Sequence, residues 1–255
     1  MIFKDFTRIV DISRDDIYRE VAEEHSRSIK IKKEKTLEKN LGAIFDAALR
    51  VSNVRGFTAM SMRDLSREAG LSMGALYAYF SSKEELLEML LQTGRAIIWR
   101  VLNERLAQVA DPRAKLRTAM ETHLYLSEAL QPWFYFSYME ARHLSERQKE
   151  AAKAAELETE TLFADIIEEG NGRGRFSSPD ARLSAALIKA VLQDWYVKRW
   201  KYAKRKVSVD RYAGFVIDFV EASLLTPELP KEREWEGPEH DRDRPVKTDQ
   251  ERRGA

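Results

Sequence analysis

Gly70-Leu71-Ser72-Met73-Gly74-Ala75-Leu76-Tyr77-Ala78-Tyr79-Phe80-Ser81-Ser82-Lys83-Glu84-Glu85-Leu86 decides the fold. Gly70 permits the backbone of a tight turn, and the segment after it predicts a short helix over Met73 to Phe80. Ser81 or Ser82 then caps a long helix through Leu86 and Leu90. Upstream, Ser61 is placed to cap a short helix through Leu65 to Ala69. Two short helices joined by a glycine turn are the geometry of a helix-turn-helix, whose second helix enters the major groove of DNA.

The apolar pattern supports that unit. Leu41, Ile44, Phe45, Ala48 and Leu49 form one face of a preceding helix, and Gly56 stands where that helix needs a left-handed residue to end. Leu65, Ala69, Leu71 and Leu76 can pack the two short helices against that face. The small residues Ser72, Met73, Gly74 and Ala75 let the second helix approach base edges. No arginine lies in that turn, so readout leans on thymine-methyl contacts from Met73 and Ala75, on Arg63, and on DNA shape. Ser61, Ser72, Tyr77, Tyr79 and Lys83 offer phosphate contacts; the alternative is that the tyrosines pack and the serines cap.

The run from Gly70 to Leu86, with Ala43 to Phe57 and Ser61 to Ala69, resembles the signature of the TetR family of bacterial regulators. Glycine turn, Leu-Tyr-x-Tyr-Phe and Ser-Lys-Glu-x-Leu occur in register. The resemblance implies that Ser72 to Ala75 lie near bases and that Tyr77, Tyr79 and Lys83 bind phosphates. It also implies a C-terminal helical domain that holds a small-molecule effector and dimerises through its last two helices. Ser66 departs from the family's usual alanine, and its hydroxyl needs a partner such as the carbonyl one turn back.

Outward from this unit the chain reads as all-α. Apolar residues recur at helical spacing almost to Leu225, with breaks at Asp111-Pro112, Gln131-Pro132, Gly170 to Gly174 and Lys206 to Ser208. Four segments are expected: 1–38, an extension with a basic arm; 39–82, the helix-turn-helix domain; 83–226, the ligand-binding and dimerisation domain; and 227–255, a charged, mobile tail. In the first, Ser13 with Asp16 suggests a helix start before Ile17, Val21 and Ala22. Lys32, Lys33 and Lys35 lie in the basic run and are candidates for DNA contact, a solvated linker being the alternative.

In the C-terminal domain Trp133-Phe134-Tyr135-Phe136-Ser137-Tyr138-Met139 is apolar almost all round and marks the chamber. Its candidate lining is Trp99, Leu102, Met120, His123, Leu124, Trp133, Phe136, Tyr138, Met139, Ile166, Ile188 and Trp195, plain core being the alternative for each, with His123, Tyr125, Glu140 and Arg142 as polar handles. This tone suggests a hydrophobic or aromatic effector. An acyl-CoA is a second candidate, its head group met by the cations from Lys198 to Lys206. The helices expected at Asp180 to Lys204 and Val209 to Leu225 carry Ala186, Ala190, Tyr212, Phe215, Val216 and Phe219 as the seam of a homodimer, ordinary core within one chain being the alternative.

Composition excludes other classes. The 255 residues hold no cysteine and carry a net charge of only +1, so DNA binding must rest on local charge. His25, His123, His143 and His240 are scattered, and no phosphate-binding glycine loop occurs, so neither enzyme, metal site nor cofactor is expected. A helical protein-binding adaptor fits the packing, but gives no reason for Tyr77, Tyr79 and Lys83 after a glycine turn. No apolar run suffices to span a bilayer, and a cytoplasmic protein is expected, with double-stranded operator DNA as partner and no membrane.

Overall fold

The computed structural model describes residues 1–10, 12–13, 17–19, 21, 34–140 and 144–225. Lys32, Lys33, Asp16, Ala22, Arg142 and the expected tail 227–255 lie outside them. The described elements are helical: α1 (Phe3–Ile9), α2 (Glu34–Arg55), α3 (Met62–Ala69), α4 (Met73–Leu76), α5 (Lys83–Leu106), α6 (Pro112–Ala129), α7 (Gln131–Glu140), α8 (Glu146–Gly172), α9 (Ala181–Val197), α10 (Arg199–Lys204) and α11 (Val209–Leu224). No helix among the described residues is long and apolar enough to cross a membrane.

The reading head is α2 to α4. Leu37, Leu41, Ile44, Phe45 and Ala48 fall on one stripe of α2 and are buried, against Leu65 of α3 and Leu76 of α4. A capping box starts α3, with Ser61 Oγ accepting from Asp64 N–H and Asp64 Oδ2 accepting from Ser61 N–H. Gly70, at φ 68°, ends α3 in the left-handed region, and the Leu71 N–H returns to the Ser66 carbonyl at 3.0 Å. The Ser66 hydroxyl donates forward to the Leu71 carbonyl at 2.5 Å, not back along its own helix. It thereby clamps the turn that alanine would leave to the backbone alone.

α2 is helical from Glu34, so Lys35 is an exposed residue of its first turn and not part of an extended arm. α1 docks far from the head in sequence. The Phe3 N–H donates to Asp210 Oδ1 at 2.7 Å, the Tyr125 hydroxyl donates to the Met1 carbonyl at 2.9 Å, and Phe6 is buried with its ring 5.4 Å from that of Tyr125. Further on, the Tyr18 hydroxyl donates to Asp46 of α2 at 2.8 Å. The extension therefore touches both the body and the head. Deleting residues 1–10 uncovers Tyr125 and is expected to lower the thermal midpoint by about 2–4 °C for each kcal/mol of docking lost, measured by circular dichroism; an unchanged midpoint would show that the docking contributes nothing.

The body is a bundle of α5, α6, α8, α9 and α11, with α7 between it and the head. Phe163, Ile167, Ile188, Leu192 and Trp195 fill its centre. The helix expected to run from Asp180 to Lys204 is broken at Lys198. There Lys198 and Lys201 pair with Asp194 at 2.9 and 2.5 Å, while Arg199 pairs with Glu128 at 2.9 Å. Burial opposes ionisation of Asp194, but hydrogen bonds from Lys201, Tyr202 and Lys198 outweigh it and hold its carboxyl down to about 2. The basic cluster is thus engaged in holding the α9–α10 corner, which removes three of its six cations from an anion-binding role.

Candidate DNA interface and effector cavity

α4, the second helix of the helix-turn-helix, is one α-turn long. Ser72 Oγ caps it by accepting from the Ala75 N–H at 3.1 Å. After Leu76 the chain tightens, the N–H groups of Ala78 and Tyr79 bonding to the carbonyls of Ala75 and Leu76. Ser61, Arg63, Ser72, Gly74 and Tyr77 are exposed, Met73, Ala75 and Lys83 partly so. The competing charges nearby are paired, Arg67 with Asp64 and Arg50 with Glu68, each at 2.7 Å. Arg63 is accordingly the cation of α3 left to face outward.

Two expected phosphate ligands have other work. Tyr79 is buried, its hydroxyl 3.5 Å from the Thr36 carbonyl of α2, so its ring belongs to the core and not to an outward contact surface. Lys83 donates to the Thr58 carbonyl at 2.9 Å with its ammonium 4.9 Å from the centre of the Phe57 ring. Burial holds its pKa down, against the charges of Glu84 and Glu140. Tyr77 keeps a free outward position. A Cβ added at Gly74 would meet nothing within 4 Å, so Gly74→Leu is expected to fold normally. It should weaken DNA binding by about tenfold or more through crowding against the groove, a misfit worth about 1–3 kcal/mol. Unchanged affinity in a gel shift would remove this turn from the interface.

A cavity of about 880 Å³ lies in the body, lined from α5 by Glu88, Leu91, Arg95 and Trp99, from α6 by His123, and from α7 by Trp133, Phe134 and Tyr138. α8 adds Arg147, Lys149 and Glu156, and α9 adds Lys189, Gln193 and Tyr196. The volume suits a drug-sized molecule.

Of the residues expected there, Trp99, His123, Trp133 and Tyr138 reach the cavity wall. Leu102, Met120, Leu124, Phe136, Ile166, Ile188 and Trp195 do not; they are buried in side-chain packing, because a helix turned toward the body centre hides its apolar residues from any chamber. Met139 is half-buried and also off the wall. Of the polar handles, Tyr125 bonds to Met1 and Asp210, and Glu140 accepts from the Phe57 N–H at 2.9 Å.

Lys189 and Arg95 are among the cavity residues that sequence reading missed, with Glu156, Gln193 and Tyr196. Lys189 shares a buried face of α9 with Ala181, Ala185, Ile188 and Leu192, and a lone charge on that stripe was the available signal. His123 is buried with its Nδ1 unpartnered. Burial, and after it the charge of Lys189, holds its imidazole well below the usual value, so it is neutral.

α7 joins cavity and head. Trp133 stands in the cavity wall, its ring 5.7 Å from Phe45 of α2 and edge-on to it. A Cβ at Gly94 would come within 3.2 Å of that indole, so glycine lets α5 and α7 approach closely. Further along α7, Phe136 packs on Phe57 at 5.8 Å, and at its start Asn53 of α2 donates to the Pro132 carbonyl at 3.0 Å.

On the outer side of the body, α9 shows exposed Leu183, Leu187 and Ala190, and α11 shows Phe215 and Phe219, 73% and 63% exposed. The spacings i, i+4, i+7 and i, i+4 give each helix one apolar stripe. Tyr212 and Val216, expected in a dimer seam, point the other way into their own chain. Tyr212 donates to the Val191 carbonyl at 2.7 Å and stacks near Trp195 at 5.0 Å. Ala186 is half-buried at the edge of the stripe.

Comparison with known proteins agrees with this architecture. Residues 44–90 match the family of bacterial regulatory proteins of the tetR type, and residues 109–222 match a tetracyclin repressor-like C-terminal domain. The chain belongs to the TetR family of DNA-binding transcriptional regulators. It is 27% identical over 187 residues to the transcriptional repressor KstR2 of Rhodococcus jostii, covering 72% of this chain and 90% of that one. The structure of the ketosteroid transcriptional regulator KstR2 of Mycobacterium tuberculosis superposes with a TM-score of 0.66 at 20% identity, over 73% of this chain and 95% of that one. AibR, solved with isovaleryl coenzyme A and operator DNA, gives 0.63 at 18%, over 71% and 97%. These two likenesses concern the fold.

Proposed function

We propose that the protein is a cytoplasmic homodimeric repressor that occupies a pseudo-palindromic operator and leaves it when a small molecule fills the body cavity. The observation that carries this reading is the double role of α7, whose Trp133 lines the cavity while touching Phe45 of the reading head. α5 supports it, since one continuous helix starts beside the head at Lys83 and reaches the cavity at Trp99. A ligand acts only through unequal affinity for two conformations. One that pushes Trp133 outward shifts Phe45, and with it α2 and the angle of α4.

The exposed stripes of α9 and α11 are the seam. Apolar residues so exposed on two adjacent helices suit burial against their own copy about a two-fold axis, giving a four-helix contact. Two α4 turns about 34 Å apart would then read successive major-groove faces. Arg63, Ser72, Met73, Gly74, Ala75 and Tyr77 face the bases and backbone, and Ser61 a phosphate. AibR, a structural neighbour with both an acyl-CoA and operator DNA bound, supports the pairing of a cavity ligand with DNA reading on this fold.

The test is fluorescence anisotropy on DNA taken from upstream of the protein's own gene. A specific site is expected to bind with Kd of about 10⁻⁸–10⁻¹¹ M. Compounds that quench Trp99 and Trp133 fluorescence should raise that Kd about 5- to 150-fold. Operator affinity unmoved by every compound that enters the cavity would contradict the reading.

A further inference from the structure

One wall of the cavity carries a charge that the protein does not finish neutralising. Lys189 is 5% exposed, and its neighbours on α9, Ala185, Ile188 and Leu192, are buried and apolar. A cation in such a place is costly unless paired. Its carboxylate partner is Glu156, at 3.4 Å. Glu156 is itself about half exposed and already accepts from Gln193 at 2.6 Å. Glu160, one turn further along α8, adds negative charge at longer range, but an ammonium carries three donors, and a single shared ion-pair partner leaves capacity over.

Beside it, His123 is 2% exposed and its Nδ1 is buried without a partner. Its ring stands edge-on to Phe134 at 5.6 Å, fixed in orientation. Buried polar atoms in native proteins nearly always find a partner; His123 lines the cavity while this nitrogen is enclosed behind its wall, so a ligand atom reaches it once the side chains around it shift. Most of the remaining cations on the wall are already paired. Arg147 is neutralised by Glu88 at 2.7 Å, Lys149 by Glu146 at 2.8 Å and Lys153 by Glu150 at 2.7 Å. Arg95, also on the wall, has no ion pair among the described residues. With Lys189 held only loosely by Glu156, the cavity has a net demand for negative charge, set in a surface otherwise made of Trp99, Trp133, Phe134 and Ile98.

The geometry points to an apolar carboxylic acid as the effector, its carboxylate held by Lys189 and the His123 N–H and its hydrocarbon body lying on the Trp99, Trp133 and Phe134 wall. This assignment rests on the cavity being the effector site, as proposed above. The carboxylate takes over Lys189, and Glu156 swings into the solvent it already half occupies. Neutral imidazole donates one N–H and so completes the partner that His123 lacks. An alkylamine would meet Lys189 as a like charge, and a neutral amide would leave the buried ammonium to Glu156.

The test uses the full-length protein and its intrinsic tryptophan fluorescence. The probes are straight-chain carboxylates from hexanoate to hexadecanoate, the matching primary amides and alkylamines, and decanoyl-CoA. At least one carboxylate is expected to bind about tenfold or more tightly than its amide, the range for hydrogen bonds to a charged partner, and the amine not to bind. Lys189→Met is expected to weaken the carboxylate about tenfold and to leave the amide within about threefold. It should keep the thermal midpoint, since it removes a buried charge of similar shape; if it does not fold, Lys189→Gln and His123→Phe are read in the same way.

Equal affinity for acid and amide, preference for the amine, indifference of Lys189→Met, or failure of every chain length to bind would each overturn the assignment. The two readings can fail separately. Decanoyl-CoA releasing operator DNA while no free acid binds would spare the regulatory reading and sink the acid. A Lys189-dependent acid that leaves operator affinity unchanged would do the reverse.

Discussion

Phe215→Glu with Phe219→Glu is expected to yield a folded monomer whose affinity for a palindromic operator is about 10²–10⁴-fold weaker than that of the wild type. Both side chains are largely exposed in the single chain, so placing carboxylates there costs the protomer little. Across a two-fold axis each glutamate meets its own copy or a desolvated apolar stripe, where an unpaired charge is strongly unfavourable. Loss of the dimer then removes the second head, whose binding the first makes effectively intramolecular. Size-exclusion chromatography with light scattering reads the mass, and anisotropy reads the DNA. A variant that stays dimeric would move the seam elsewhere. Tyr212→Glu, by contrast, should fail to fold, because that ring is packed against Trp195 and Tyr202 inside the chain.

The second large effect concerns the connection between cavity and head. Glu140→Leu is expected to leave ligand affinity near that of the wild type and to abolish most of the ligand's effect on operator binding. Glu140 is buried and holds the Phe57 N–H, just past the end of α2, from the end of α7. Its loss leaves that N–H unpaired at a cost of about 1–3 kcal/mol and frees the Gly56-Phe57 loop from α7. Since allosteric coupling is typically only about 1–3 kcal/mol, one lost tether of this size is enough to erase it. Glu140→Gln retains an acceptor oxygen and should retain the coupling. Equal coupling in all three proteins would place the connection in α5 alone.

The reading head was legible because its signals are local. Ser61, Gly70, Ser72 and Ser82 act on residues three to five positions away, so their capping and turn roles can be read from spacing. The all-α class followed from the same short-range periodicity. What was misread depends on the direction a helix face takes in three dimensions. Tyr77 and Tyr79 look alike in sequence, yet one is exposed and the other lies under α2. Tyr212 and Phe215 both looked like seam, but three residues on a helix is most of a turn, and the packing of Trp195 decides which one turns inward.

The cavity was the least legible part. Its aromatic wall was found at Trp133 and Tyr138, while Phe136, on the opposite face of the same helix, packs on Phe57. Arg95, Lys189 and Glu156 come from three helices far apart in the chain, and nothing local brings them together. The docking of α1 on Tyr125 and Asp210 was likewise invisible, since Phe3 and Phe6 in a mixed terminal segment carry no sign of a partner more than a hundred residues away.

The most direct measurement is selection of bound sequences from random duplex DNA by the full-length protein. A homodimeric reader is expected to recover an inverted repeat with half-sites related by a two-fold axis, lost or reduced to single half-sites when Phe215 and Phe219 are both glutamate. Recovery of no enriched sequence, or of a site without symmetry bound equally by wild type and variant, would contradict it.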